Sequence, residues 1–111
     1  MVNFVPKQGD IIQLDFSPTK GREQRGKRPA LILSNNSFYK NTGLLIVCPI
    51  SNTDNNFPLH LKLTGENLKT TGVILTQHIK TIDPQAREVL FVEAAPRAIV
   101  EQALGMTSMF W

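Results

Sequence analysis

Between residues 9 and 16, GDIIQLDF, the apolar side chains Ile12, Leu14 and Phe16 alternate with Gln13 and Asp15, the two-residue period of a strand with one face buried. Ser17-Pro18-Thr19 ends it. RPALILS (28–34) predicts a second strand, with Pro29 tolerated only at its start because it brings no ladder N–H. The polar turn Asn35-Asn36-Ser37 follows, with one helical turn through Tyr39, and GLLIVCPI (43–50) reads as a central strand. Ser51 to Pro58 is an Asn-rich loop, after which PLHLKL alternates again to Leu63. A polar connection over 64–71 leads to GVILT (72–76) and a short strand around 79–82. The period changes near the C-terminus, where Pro96 opens PRAIVEQALGMTSMF as an amphipathic helix with Ile99, Val100, Ala103 and Leu104 on one face and Gly105 as a weak point or early stop. Many short strands and one helix predict a mainly β fold, a small barrel or curved antiparallel sheet, in a single domain. Met106, Met109, Phe110 and Trp111 are expected to close the core or meet a second subunit.

Composition adds little until charge is placed along the chain. The 111 residues suit one domain with one core. The formal charge is +3, and KGREQRGKR (20–28) holds five of the twelve Lys and Arg residues against a single carboxylate, Glu23. The rest is nearly neutral. Gly21 and Gly26 make the segment a loop, held between two strands, and a cationic loop on a neutral body points to a polyanion. Cys48, the only cysteine, stands in an apolar run that predicts a buried strand thiol. His60 and His78 are the only imidazoles and no metal-ligand spacing is present, so catalysis is expected to need neither metal nor cofactor. The opening MVNFVPKQGD has no leader pattern, and no run approaches the roughly 18–20 apolar residues that cross a bilayer. The expected location is the cytoplasm, away from membranes.

Residues 9–34, GDIIQLDFSPTKGREQRGKRPALILS, closely resemble the N-terminal signature of the MazF/PemK toxin family, with its Gly-Asp strand, D-F-x-P turn, G-x-E-Q-x-G-x-R-P loop and A-L-I-L-S strand. GVILTQHIKTID (72–83) resembles the family's second element, and the likeness spans nearly the whole chain as one toxin domain, 1–111. The resemblance implies an SH3-like barrel with a C-terminal helix, a homodimer, and a metal-independent endoribonuclease, an mRNA interferase that cuts single-stranded RNA at short sequences. It also implies a cognate antitoxin whose acidic C-terminal tail lies across the RNA groove.

Metal-free RNA cleavage uses the ribose 2′-OH as nucleophile, leaving 2′,3′-cyclic phosphate and 5′-OH ends. The protein must take the 2′ proton, stabilise a dianionic phosphorane and protonate the leaving 5′ oxygen. Arg28 stands where the loop enters a strand, and its planar fork suits two phosphate oxygens. By resemblance Arg28 matches the family's catalytic arginine, and Ser51 falls where many members carry a catalytic threonine. Serine keeps the hydroxyl and loses the methyl that restricts its rotamers, so reduced preorganisation is expected. Glu23 matches a functional glutamate that accepts the 2′ proton, orients Arg28 or contacts base or ribose. Lys20, Arg22, Gln24, Arg25 and Lys27 are assigned to the RNA strand, as are His78 and Lys80. Phe16, Phe38 and Tyr39 are candidates for base stacking or for the core. Another branch of the family uses an Arg, an Asp and a His at positions that here read Leu75, Gln77 and Arg22, so that catalytic set is absent. The competing readings are a non-catalytic nucleic-acid-binding barrel, which would need the charge and not the combination of Glu23, Arg28 and Ser51, and a gyrase-inhibiting toxin of the same fold.

Overall fold

The computed structural model describes residues 3–16 and 26–111. Among the described residues there are seven strands, the first six on the segments that the sequence pattern predicts: β1 (Asp10–Asp15), β2 (Lys27–Ile32), β3 (Leu45–Ser51), β4 (His60–Lys62), β5 (Val73–Leu75), β6 (Lys80–Ile82) and β7 (Val89–Ala94). Every pairing is antiparallel, in the order β4-β5-β3-β2-β1-β7, with β6 also on β3. Among the described residues this path does not close, so the architecture is the curved sheet rather than a sealed barrel. β5 and β6 share one edge of β3, β5 at Ile50 and Ser51 and β6 at Leu45 to Val47, with a 3-10 turn at Thr76–His78 between them.

Alternation gives the sheet two buried faces. Ile12, Leu14, Phe16, Ala30, Ile32, Leu45, Val47, Ile82 and Val89 pack inside the curl, and the presence of both Ile82 and Val89 shows how far β6 and β7 bend toward each other. On the outer face Ile11, Leu31, Cys48, Ile50 and Ile74 receive the helix α2 (Arg97–Thr107) through Ile99, Val100 and Ala103. That is the predicted helical face, with Thr107 extending it. Pro96 caps the helix instead of lying within it, and Gly105 does not stop it: α2 runs on to Thr107 before a final 3-10 turn.

Two further differences have local causes. The turn expected after β2 is a seven-residue helix, α1 (Asn36–Thr42), started by Asn35 Oδ1 accepting the Phe38 N–H at 2.8 Å and stopped by Gly43 at φ 73°. β7 falls where the pattern predicts no element, because Leu90 and Phe91 are both about half exposed and break the alternation. It is the outer partner of β1, with an irregularity between Ile11 and Ile12.

Candidate active site

β2 and β3 pair as Ala30 with Pro49, Leu31 with Cys48 and Ile32 with Val47. Two residues further along that register, Arg28 comes abreast of Ser51. Arg28 keeps the parity of Ala30 and Ile32, and Ser51 that of Leu45 and Val47, so both stand at one end of the inner face. Arg28 is half-buried, lies opposite Leu14 of β1, and is not without a partner.

Ser51 is fixed from two sides. Its Oγ accepts the Thr53 N–H at 3.1 Å, which occupies a lone pair and leaves the hydroxyl hydrogen able to donate. This contact supplies some of the rotamer restraint that threonine's methyl would give. Behind it, Val73 of β5 pairs with Ser51, and a Cβ on Gly72 would fall on the Ser51 carbonyl oxygen. The glycine opening GVILT is therefore a close-approach residue, held at φ 120°. Thr71 Oγ1 donates to Asn52 Oδ1 at 2.9 Å, and the Glu93 carboxylate receives the Lys69 N–H at 3.0 Å and the Thr70 N–H and hydroxyl at 2.7 Å each. Partial desolvation opposes the charge on Glu93, but these donors outweigh it and lower its pKa.

The Phe16 N–H donates to the Gly26 carbonyl at 2.9 Å and ties the end of β1 to the residue that precedes β2. Glu23, Lys20, Arg22, Gln24 and Arg25 lie outside the described residues. Lys27 is exposed opposite Asp15. Lys80 pairs with Val47 and carries its Nζ to 5.7 Å from the Phe16 ring centroid. Phe16 is completely buried and is core, not a stacking platform. Phe38 and Tyr39 are on α1, which joins the far ends of β2 and β3, so the topology sets them away from Arg28 and Ser51. Tyr39 packs against the inner core.

His78 closes the 3-10 turn and lines an open cavity of about 360 Å³ with Asn55, Phe57, His60 and Gln77. His60 was not among the residues picked out by sequence. In PLHLKL it occupies an outward position, yet its side chain is only 8% exposed because the 54–57 loop folds over it. Its Nδ1 is 3.3 Å from Asp54 Oδ1, and Phe57 meets its ring edge-on at 5.4 Å. The Asn56 N–H first, and then His60, lower the Asp54 pKa. The available signal was the pairing of a rare imidazole with an Asp six residues earlier.

Among the described residues no group of three or more His, Cys, Asp or Glu side chains gathers as a metal site, and no helix is long and apolar enough to cross a membrane. The model of the PemK-like, MazF-like toxins of type II toxin–antitoxin systems matches residues 7–105. The chain is 38% identical over 84 residues to the endoribonuclease toxin MazF of Escherichia coli K12, covering 76% of this chain and 74% of that one. It is 33% identical over 105 residues to Escherichia coli endoribonuclease PemK, covering 92% and 79%. Among solved structures, MazF of Deinococcus radiodurans superposes with a TM-score of 0.89 at 30% identity over 97% of each chain, and a MazE–MazF complex from the same organism with 0.83, also at 30%, over 97% and 96%.

Proposed function

Because the chain belongs to the PemK-like, MazF-like toxins of type II toxin–antitoxin systems, we propose that it is an endoribonuclease cutting single-stranded RNA at short sequences without a metal ion. The observation that carries the reading is the register that brings Arg28 abreast of Ser51 at one end of the inner face. In the proposed reaction the ribose 2′ oxygen attacks phosphorus. Arg28 grips two phosphoryl oxygens and neutralises the charge that grows in the phosphorane. Ser51, its lone pair engaged by Thr53, donates a hydrogen bond to the phosphorane or to the departing 5′ oxygen, which takes its proton from water. Glu23 is the acceptor to be tested for the 2′ proton. Lys27 and Lys80, with the cations of the 20–25 segment, bind the phosphates on either side, which predicts a log–log salt slope of roughly −0.7 per phosphate neutralised.

The relatives' MazE–MazF complexes support a cognate antitoxin for this chain, whose acidic tail would compete with RNA for the same cations. We further assign the protein to the cytoplasm, as one toxin domain acting as a homodimer.

The test is to incubate wild-type and Arg28→Ala protein with long single-stranded RNA in excess EDTA, sequence the fragment ends and assay them for 2′,3′-cyclic phosphate. Cleavage at a recurring short sequence by wild type alone is the expected result. Salt-sensitive RNA binding without cleavage by folded wild-type protein would overturn it in favour of a binding module. Loss of folding in Arg28→Ala would make that arginine structural.

A further inference from the structure

Ser51 is the last residue of β3, with Val73 of β5 as its ladder partner, and the exposed loop 52–58 begins beside it. A strand end next to such a loop frays unless something beyond the ladder holds it. The segment 69–72, which leads into β5, supplies that hold. Gly72 lies against the Ser51 carbonyl, and the Thr71 hydroxyl donates to Asn52 Oδ1 at 2.9 Å. Both contacts fall within one residue of the candidate donor.

The segment is itself held from the other end of the sheet. Along the ladder β5 and β7 are separated by β3, β2 and β1, and among the described residues no backbone pairing joins them. The Glu93 carboxylate of β7 makes the link instead. It accepts the Lys69 N–H at 3.0 Å and the Thr70 N–H and hydroxyl at 2.7 Å each, so one side chain fixes two consecutive residues. A Cβ on Gly65 would fall 2.8 Å from the Pro96 ring, so the same connection also rests against the start of α2.

We infer that Glu93, acting through the 69–72 segment and the Thr71–Asn52 bond, is a positioning residue that holds the Ser51 hydroxyl where it meets the scissile phosphate. Glu93 acts through these contacts rather than on the substrate. The end of β3 keeps one geometry while RNA is bound, and the Ser51 donor is aimed before charge develops on the phosphorane. This inference rests on the reading of Ser51 as that donor.

In the test, full-length Thr71→Val and Glu93→Ala proteins are compared with wild type at a temperature where all are folded. The substrate is a short oligoribonucleotide carrying the cut sequence recovered from long RNA. Thr71→Val, nearly isosteric at an exposed position, should lower kcat by about 3- to 10-fold with KM unchanged, the effect of losing one ordinary hydrogen bond that selects the productive geometry. Thr71→Ser keeps the hydroxyl and should restore the rate. Glu93→Ala releases both anchored residues and should cost about 10- to 100-fold in kcat. Losing a carboxylate does not weaken binding to a polyanion, so KM should not rise. If Glu93→Ala does not fold, Thr71→Val keeps the test valid. In a Ser51→Ala background, Thr71→Val should add no further loss. Full additivity there would overturn the proposal, because Thr71 would then act apart from Ser51. Amide relaxation needs no cleavage: order parameters of about 0.85 at Asn52 and Thr53 in wild type are expected to drop toward about 0.6 in both variants. Unchanged values overturn the positioning role whatever the rates. Wild type that cuts no RNA overturns the ribonuclease reading, whereas wild type and folded Thr71→Val cutting equally well overturns the positioning role alone.

Discussion

Adding one methyl group to Gly72 should damage this protein far more than adding one to Gly105. At Gly72 the backbone has φ 120°, which L residues rarely adopt, and the new Cβ would strike the carbonyl oxygen of Ser51, with the carbonyl carbon at 2.8 Å and Asn52 Oδ1 at 3.1 Å. Those first two obstacles are backbone atoms and cannot rotate away. The conformational strain is worth about 1–3 kcal/mol. Relief requires β5 to move off β3, weakening the Ser51–Val73 pair and the 3.0 Å bond from the Leu63 N–H to the Gly72 carbonyl. With one such bond worth about 1 kcal/mol, Gly72→Ala should cost about 2–4 kcal/mol. For a chain of this length that is a fall in Tm of roughly 8–20 °C. Gly105 is exposed in the last turn of α2, which continues into the 3-10 turn Ser108–Phe110, with nothing within 4 Å of its would-be Cβ. Gly105→Ala should stabilise by about 0.5–1 kcal/mol through helix propensity alone. Thermal and urea denaturation of the two variants beside wild type would measure both. A Gly72→Ala midpoint within a few degrees of wild type would refute the claim that this glycine is required by close approach to the candidate site.

Ser51→Ala is expected to keep the fold and lose about 10²- to 10³-fold in kcat, the usual effect of removing one donor to a developing oxyanion, while Ser51→Thr retains activity; single-turnover cleavage would show both. Glu93 has a folded-state pKa below its ordinary 4.5, so its contribution is complete above that value and is lost as pH falls through the folded pKa. Glu93→Gln should therefore lower Tm at pH 7 and narrow its gap to wild type by pH 3. Burial pushes the Cys48 thiol up to about 12, and the side chain has no exposure, so a thiol reagent at pH 8 should react only as the protein opens, at a rate that rises with urea.

Where one face of a strand is buried and the other wet, the order of residues was enough to find it: Ile12, Leu14 and Phe16 all lie in the inner core, and Ile99, Val100 and Ala103 all meet the outer one. β7 escaped notice because an edge strand can expose consecutive apolar residues, as Leu90 and Phe91 do, without losing its backbone ladder to β1. Gly105 misled in the opposite direction. Its propensity cost is local, and the packing of Ala103 and Thr107 on the sheet side outweighs it. At the candidate site, Arg28 could be nominated from its place where the basic loop enters a strand and Ser51 only through the family resemblance, but their alignment depends on the β2–β3 register, a long-range quantity. His60 was hidden by the alternation that identifies β4. A period-two pattern says which way a side chain points and nothing about a loop that later folds over it.

The bond from the Phe16 N–H to the Gly26 carbonyl extends the β1–β2 pairing to the two residues that flank 17–25. Residues 17–25 can therefore be treated as a cassette, replaceable by a segment of different length or charge without disturbing the register that sets Arg28 beside Ser51. Doubling the length of such a loop costs only about 0.6 kcal/mol in closure entropy. A change of length within 17–25 can thus be absorbed in the connection while the β1–β2 and β2–β3 ladders keep their register.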